Sequence, residues 1–240
     1  MLSSFIRFKF SIRNYYLLLS VSVVGLFVYS WMIDSIKPII VFMVFAVVGV
    51  LGETLINFWW QMFFGQRLWV YSTETLYHKY TSLLNFIPWG IGGYLYLITA
   101  RQIMPVSQYP NLSFLCLFLF PILVIFQKLI FDFFKPHSNF KFHKVGLINL
   151  LFFYFPILIV IGLFVYIYGW NMFATFVLFA VMATIAEYIF GKACQSIISK
   201  KLWTYIYLPY DYGHFTPIVI LLFGFGGFYF LIVARLFGFF

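Results

Sequence analysis

Charged side chains are scarce in this sequence. Asp, Glu, Lys and Arg make up 9% of its 240 residues, whereas hydrophobic residues make up 64%. In a soluble domain of ordinary composition about a quarter of the residues are charged. So few polar side chains cannot cover a globule in water. The composition therefore excludes a soluble protein and predicts a chain embedded in the lipid bilayer.

Groups that hold metals, cofactors or nucleic acid are equally scarce. The net charge is +9, but the basic residues are spread between long apolar runs and form no basic face, so we expect no nucleic-acid partner. The two cysteines, Cys116 and Cys194, lie inside apolar runs and predict buried thiols. The four histidines lack metal-ligand spacing, and no phosphate-binding loop or cofactor fingerprint occurs. We therefore expect no metal and no cofactor.

Long apolar segments are what the sequence does contain. A helix that crosses a bilayer needs about 20 mostly apolar residues. Seven segments meet this requirement: 14–33, 38–60, 83–100, 111–133, 146–168, 171–195 and 216–237. The sequence therefore predicts an all-α integral membrane protein with about seven transmembrane helices.

The positions of Lys and Arg predict the orientation. With the N-terminus in the cytoplasm, twelve of the 15 basic residues lie on the inner side and only Lys37, Arg101 and Arg235 on the outer side. Lys and Arg are enriched in cytoplasmic loops. We therefore expect a multi-pass protein of a bacterial-type inner membrane, with its N-terminus inside and its C-terminus outside.

The chain contains an internal repeat. Residues 42–101 align without a gap with residues 176–235, at an offset of 134 positions. The matches include polar and small residues that chance apolar similarity would not place in one register. The repeated unit spans three helices, which predicts repeats at 1–104 and 139–240 joined by a linker helix in 105–138. An odd unit plus one connecting helix gives both copies the same orientation, related by an axis along the membrane normal.

Glu53 and Glu187 are equivalent in this alignment, and both lie within apolar segments. A carboxylate inside a membrane costs about 2.5–3.5 kcal/mol on insertion scales, so it marks a functional site by default. The alternative is a buried contact between helices that duplication copied twice. Polar side chains continue from each glutamate at steps of four residues, which keeps them on one helix face. The candidate substrate- or proton-binding residues are Glu53, Glu187, Asn57, Gln61 and Gln195.

Three further sets of equivalent residues have two interpretations each. The Trp-x-Tyr pairs Trp69/Tyr71 and Trp203/Tyr205 are either anchors at the membrane interface or a gate over the site. The glycine clusters allow close helix packing or act as hinges. Arg101 and Arg235 reach lipid phosphates or provide charge at an outer mouth. The glycines are Gly90, Gly92, Gly93, Gly224, Gly226 and Gly227.

Two active functions fit these residues. The first is a transporter or permease with a central site between two equivalent halves, coupled to protons or cations through the glutamates. The alternative is an intramembrane enzyme that uses the two carboxyls for acid–base chemistry on an isoprenoid or another lipid. A lipid-binding or assembly protein without turnover is the third possibility. A water-accessible path between the halves would favour transport, whereas a closed apolar slot that opens to lipid and has one glutamate at its end would favour the enzyme. A tightly packed interface without a cavity would defeat both. The sequence identifies neither the substrate nor the oligomeric state.

Overall fold

The computed structural model describes residues 12–33, 35–76, 78–103, 112–134 and 146–239. Seven α-helices account for most of them: α1 (Ile12–Met32), α2 (Lys37–Phe64), α3 (Phe86–Ile103), α4 (Leu112–Phe134), α5 (Leu147–Tyr168), α6 (Trp170–Ile198) and α7 (Val219–Leu236). The all-α class is therefore confirmed. The expected domain boundaries near 104 and 138 lie outside the described residues.

Six of the described helices are long and apolar enough to cross a membrane. They are α1, α2, α3, α5, α6 and α7. The longest are α2, with 28 residues, and α6, with 29. Because the described residues fold into so many apolar helices, the chain is a multi-pass membrane protein. α4 has 23 residues and is not among these six.

Two helices extend further than the sequence suggested. α2 ends at Phe64 rather than at residue 60, and α6 ends at Ile198 rather than at residue 195. Gly65 adopts a left-handed conformation (φ 72°) and donates its N–H to Gln61, which stops α2. The extensions place Gln61 and Gln195 in the last turns of their helices.

Short strands, which the sequence did not predict, connect the helices. β1 (Trp69–Tyr71) pairs antiparallel with β4 (Trp203–Tyr205), and β2 (Thr75–Leu76) pairs with β3 (Thr81–Ser82). In the first pair Val70 lies opposite Thr204, its equivalent in the repeat. Ser72 donates its backbone N–H to the carbonyl of Leu202, and Ile206 donates its backbone N–H to the carbonyl of Leu68. The offset of 134 relates the donor of each bond to the donor of the other, and likewise the acceptors.

Glycines on α3 and α7 receive phenylalanine rings from α2 and α6. Phe42 packs on Gly90 and Phe45 on Gly93, where an added Cβ would lie 2.4–2.6 Å from the nearest ring atoms. In the second half Phe176 packs on Gly224 and Phe179 on Gly227. The absence of a side chain lets helices approach closely, which is the usual function of small residues in membranes. These phenylalanine–glycine contacts pack α2 against α3 and α6 against α7.

Aromatic rings join the two helix pairs at the centre of the molecule. Phe45 meets Phe230 at a centroid separation of 5.3 Å, and Tyr96 meets Phe179 at 4.9 Å. The two contacts are equivalent, because the offset of 134 relates Phe45 to Phe179 and Tyr96 to Phe230. Tyr96 and Phe230, themselves equivalent, stack on each other at 5.5 Å.

Candidate functional site

Glu53 is held by three donors in the first half of the molecule. Its carboxyl is 8% exposed and lies eleven residues before the end of α2, about 16 Å along the helix from that end at 1.5 Å per residue. The hydroxyl of Tyr71 donates to Oε1 at 2.5 Å, and that of Thr81 donates to Oε2 at 2.6 Å. Asn85 Nδ2 bonds both oxygens, at 3.0 and 3.1 Å. The loop after α2 therefore folds back onto the glutamate.

Glu187 occupies the equivalent place on α6 with fewer partners. Tyr205 donates to its Oε1 at 2.5 Å, as Tyr71 does to Glu53. Residues equivalent to Thr81 and Asn85 are Phe215 and Val219, which have no side-chain donor. Oε2 of Glu187 is buried and has no hydrogen-bond partner among the described residues. One carboxyl is thus enclosed by donors, and the other keeps a free oxygen.

The two tyrosines remain protonated donors. Burial raises the pKa of Tyr71 and of Tyr205 well above the usual range, and each nearby glutamate raises it further. Both tyrosines interact electrostatically with both glutamates, so the four groups form one cluster.

The remaining members of the expected polar strip bind backbone and loop groups. Asn57 accepts from Leu68 N at 2.9 Å and donates to Trp69 O at 3.0 Å, which holds the start of β1. Gln61 bonds Tyr80, and Gln195 bonds His214, at the equivalent position. Two cavities are lined by Glu53 and Glu187, and neither of them is lined by Asn57, Gln61 or Gln195. The structure does not bring them to the glutamates.

A cavity of about 240 Å³ lies between α3 and α6. Glu53 and Glu187 line the end that lies deepest in the protein, which we call its inner end. We call this cavity the slot. Its walls are mainly apolar and aromatic, and they include Trp89, Tyr96, Trp203 and Phe223. At its mouth Ile91 is 37% and Leu95 46% exposed. On membrane-spanning helices such exposed apolar residues face lipid, so the slot opens to the bilayer.

A second cavity, of about 150 Å³, lies between α2 and α7 and meets the slot at the two glutamates. Its lining includes the equivalents of slot residues, such as Gly226 for Gly92. Its mouth differs. Phe225, equivalent to Ile91, is only 5% exposed because Phe120 of α4 packs on it at 4.6 Å. α4 therefore covers this cavity at Phe225, whereas Leu55, on the α2 side of the same cavity, is 65% exposed.

The other expected residues have varied surroundings. Tyr71 and Trp203 line both cavities, whereas Trp69 and Tyr205 line the second. Arg101 bonds the carbonyl of Phe239 at the ends of α3 and α7, and Arg235 is exposed there. Of the six glycines, Gly92 and Gly226 pack on nothing within 4 Å and face the cavities.

Sequence reasoning missed Thr81, Asn85, Trp89 and Tyr96. The differences Thr81/Phe215 and Asn85/Val219 between the repeats were a signal that the halves diverge at the glutamates. Among the residues that the structure describes, no three His, Cys, Asp or Glu side chains are grouped as metal ligands. His214 is buried, and burial, followed by Lys192 and Lys201, lowers its pKa.

Comparison of the chain with protein-family models, with curated proteins and with solved structures finds no match.

Proposed function

We propose that this protein is an intramembrane enzyme that performs acid–base chemistry on a lipid-soluble, largely apolar substrate. One observation carries the proposal: an aromatic slot open to lipid has at its inner end a carboxyl oxygen without a partner among the described residues, Oε2 of Glu187. The slot's shape suits a molecule that enters sideways from the bilayer. The free oxygen suits proton exchange with it.

The chemistry requires only the chain's own groups. The Glu187 carboxyl gives its proton to a carbon–carbon double bond, which leaves a cation on the neighbouring carbon. The carboxylate then removes a proton from an adjacent carbon and a new double bond forms, so no atom is gained or lost. Aromatic faces stabilise the cation between the steps, and Trp89, Tyr96 and Trp203 supply them. Glu53 lines the same slot.

The architecture proposed for this activity is two parallel three-helix repeats, at 1–104 and 139–240, joined by α4 as a seventh span. Support comes from the contacts that exchange under the offset of 134, including the antiparallel pairing of Val70 with Thr204. A twofold axis along the membrane normal reverses the direction of any strand that lies in the membrane plane. Two equivalent strands that meet at this axis are therefore antiparallel. The distribution of Lys and Arg supports a cytoplasmic N-terminus, an outer C-terminus and an inner membrane of bacterial type.

A transporter or permease is the second candidate function. The observation that favours it is the meeting of the two equivalent cavities at Glu53 and Glu187. Rocking of the halves would open the cavities alternately, with the glutamates coupling the motion to protons or cations. The apolar lining of the slot makes this the weaker candidate.

Deuterium labelling separates the two functions. Membranes in which the protein is native are solubilised in detergent and incubated in deuterated water, and the extracted lipids are analysed for deuterium bound to carbon. The enzyme labels its substrate in micelles, and Glu187→Gln abolishes the labelling. Transport needs two compartments, so solute accumulation in sealed vesicles without carbon-bound deuterium in micelles would replace the first proposal by the second.

A further inference from the structure

We infer that the substrate of the slot carries a hydroxyl group, held between Glu187, Trp203 and Asn85. This inference rests on the proposed function and names its substrate class. The three residues line the slot, and each has a buried polar atom without a hydrogen-bond partner among the described residues: Oε2 of Glu187, Nε1 of Trp203 and Oδ1 of Asn85. Trp203 and Asn85 are both more than nine-tenths buried.

The hydrogen-bonding character of these atoms selects the ligand. The indole N–H of Trp203 only donates, and the amide oxygen of Asn85 only accepts. A hydroxyl both accepts and donates, so one such group can satisfy both. An ammonium group has no acceptor for the indole, and an ether has no hydrogen for the amide oxygen. A pure hydrocarbon leaves all three atoms unpaired, at a cost of about 1–3 kcal/mol for each buried group.

The first-half equivalents of Trp203 Nε1 and Glu187 Oε2 are paired, so these two free atoms do not simply follow from the fold, whereas Asn85 has no polar equivalent in the second half, where Val219 stands. Trp69, equivalent to Trp203, donates its Nε1 to Tyr80 O at 2.9 Å. Glu53, equivalent to Glu187, accepts from three side chains. Free polar atoms and an open mouth therefore occur together in the slot, where a ligand from the bilayer would meet them.

A hydroxyl at this position also gives Glu187 a reactive partner. Transfer of the carboxyl proton to the hydroxyl oxygen lets the carbon–oxygen bond break, which releases water and leaves a carbocation. Return of a proton from the adjacent carbon to the Glu187 carboxylate forms a double bond. The net reaction is dehydration of an alcohol to an alkene and water, and its reverse is hydration. No oxidant or reductant is needed.

Three photoreactive probes with the same long aliphatic chain test the inference: one ends in a hydroxyl, one in a methyl ether and one in a methyl group. Purified protein in detergent is labelled at increasing probe concentration, and labelled peptides of α3 and α6 are quantified by mass spectrometry. We expect half-maximal labelling by the alcohol at about threefold to tenfold lower concentration than by the alkane, as for one or two neutral hydrogen bonds. The ether should lie between them.

Two matched variants identify the donor. Trp203→Phe keeps an aromatic ring without the N–H and should remove the advantage of the ether over the alkane. Trp69→Phe should leave the order of the probes unchanged.

Equal labelling by the three probes in the wild-type protein overturns the hydroxyl inference but leaves the slot as a site for apolar chains. A failure of all three probes to label slot peptides overturns the proposed function as well. If Trp203→Phe does not fold, the wild-type order decides alone.

Discussion

Glu53 and Glu187 lie at the inner end of the same slot, yet only Glu187 keeps an oxygen without a partner among the described residues. Their helices, tyrosine partners and distances from the helix ends are equivalent. The difference comes from two positions, where Thr81 and Asn85 are replaced by Phe215 and Val219 in the second half. Two differences between aligned positions of the two halves are thus enough to leave one carboxyl oxygen without a partner among the described residues.

Filling the slot should abolish binding. A Cβ added at Gly92, which lines the slot, meets nothing within 4 Å, so we expect Gly92→Leu to fold and to exclude the apolar probes. We expect at least about a tenfold loss of labelling, as for overpacking that costs 1–3 kcal/mol. Gly226→Leu fills the second cavity, and Gly162→Leu lies in open space away from both. Both should label as the wild type does, and unchanged labelling of Gly92→Leu would show that ligands bind elsewhere.

Neighbouring glycines should differ sharply in their tolerance of alanine. A Cβ at Gly227 would lie 2.3 Å from the Phe179 ring, so Gly227→Ala should destabilise the protein by about 1–3 kcal/mol. Gly226→Ala meets nothing within 4 Å and should be neutral or slightly stabilising, because alanine favours helix. Thermal unfolding in one detergent compares them. Equal melting temperatures would contradict the packing of α6 on α7.

Acid should destabilise the protein through His214. Burial lowers the folded-state pKa of this histidine, so below the unfolded value of about 6.5 the unfolded chain binds more protons than the folded one. Stability is therefore lost as the pH falls from about 6.5 until the folded group also titrates. His214→Gln should flatten the melting temperature against pH over that interval. Asp211, whose pKa is lowered by its bond to Lys192, should act only at more acid pH. An unchanged pH dependence in His214→Gln would assign the effect to another group.

The proposed seven-span topology predicts which side of the membrane each loop faces. Single cysteines at Glu74, Lys200 and Phe237, which are all exposed, are introduced after Cys116 and Cys194 are replaced by alanine. A membrane-impermeant maleimide should reach positions 74 and 200 from the cytoplasmic side and position 237 from the opposite side. Labelling of positions 74 and 237 from one side and of position 200 from the opposite side would mean that α4 does not cross the membrane.

The sequence predicted the helical class, because that class depends on local composition, and its alignment at an offset of 134 places the two glutamates at matching positions. It could not predict the pairing of β1 with β4, since those strands are too short for periodicity. Nor could it separate the glycines that receive Phe45 and Phe179 from those that face cavities. That difference depends on how neighbouring helices are rotated against each other.

The asymmetry of the site also lay beyond the sequence. Two of the three partners of Glu53, Thr81 and Asn85, lie 28 and 32 positions away. Phe225 is buried by Phe120 on α4. Such contacts are decided by tertiary packing. The unmatched pairs Thr81/Phe215 and Asn85/Val219 were visible, but their meaning needed the fold.

The central claim is that Glu187, rather than Glu53, meets the ligand. Infrared difference spectra of the purified protein, recorded with and without the long-chain alcohol, report the carboxyl stretching bands that change on binding. We predict a carboxyl band that changes in the wild-type protein, persists in Glu53→Gln and is lost in Glu187→Gln. Loss of the band in Glu53→Gln with its persistence in Glu187→Gln would contradict the account, as would a spectrum without any carboxyl change despite saturated binding.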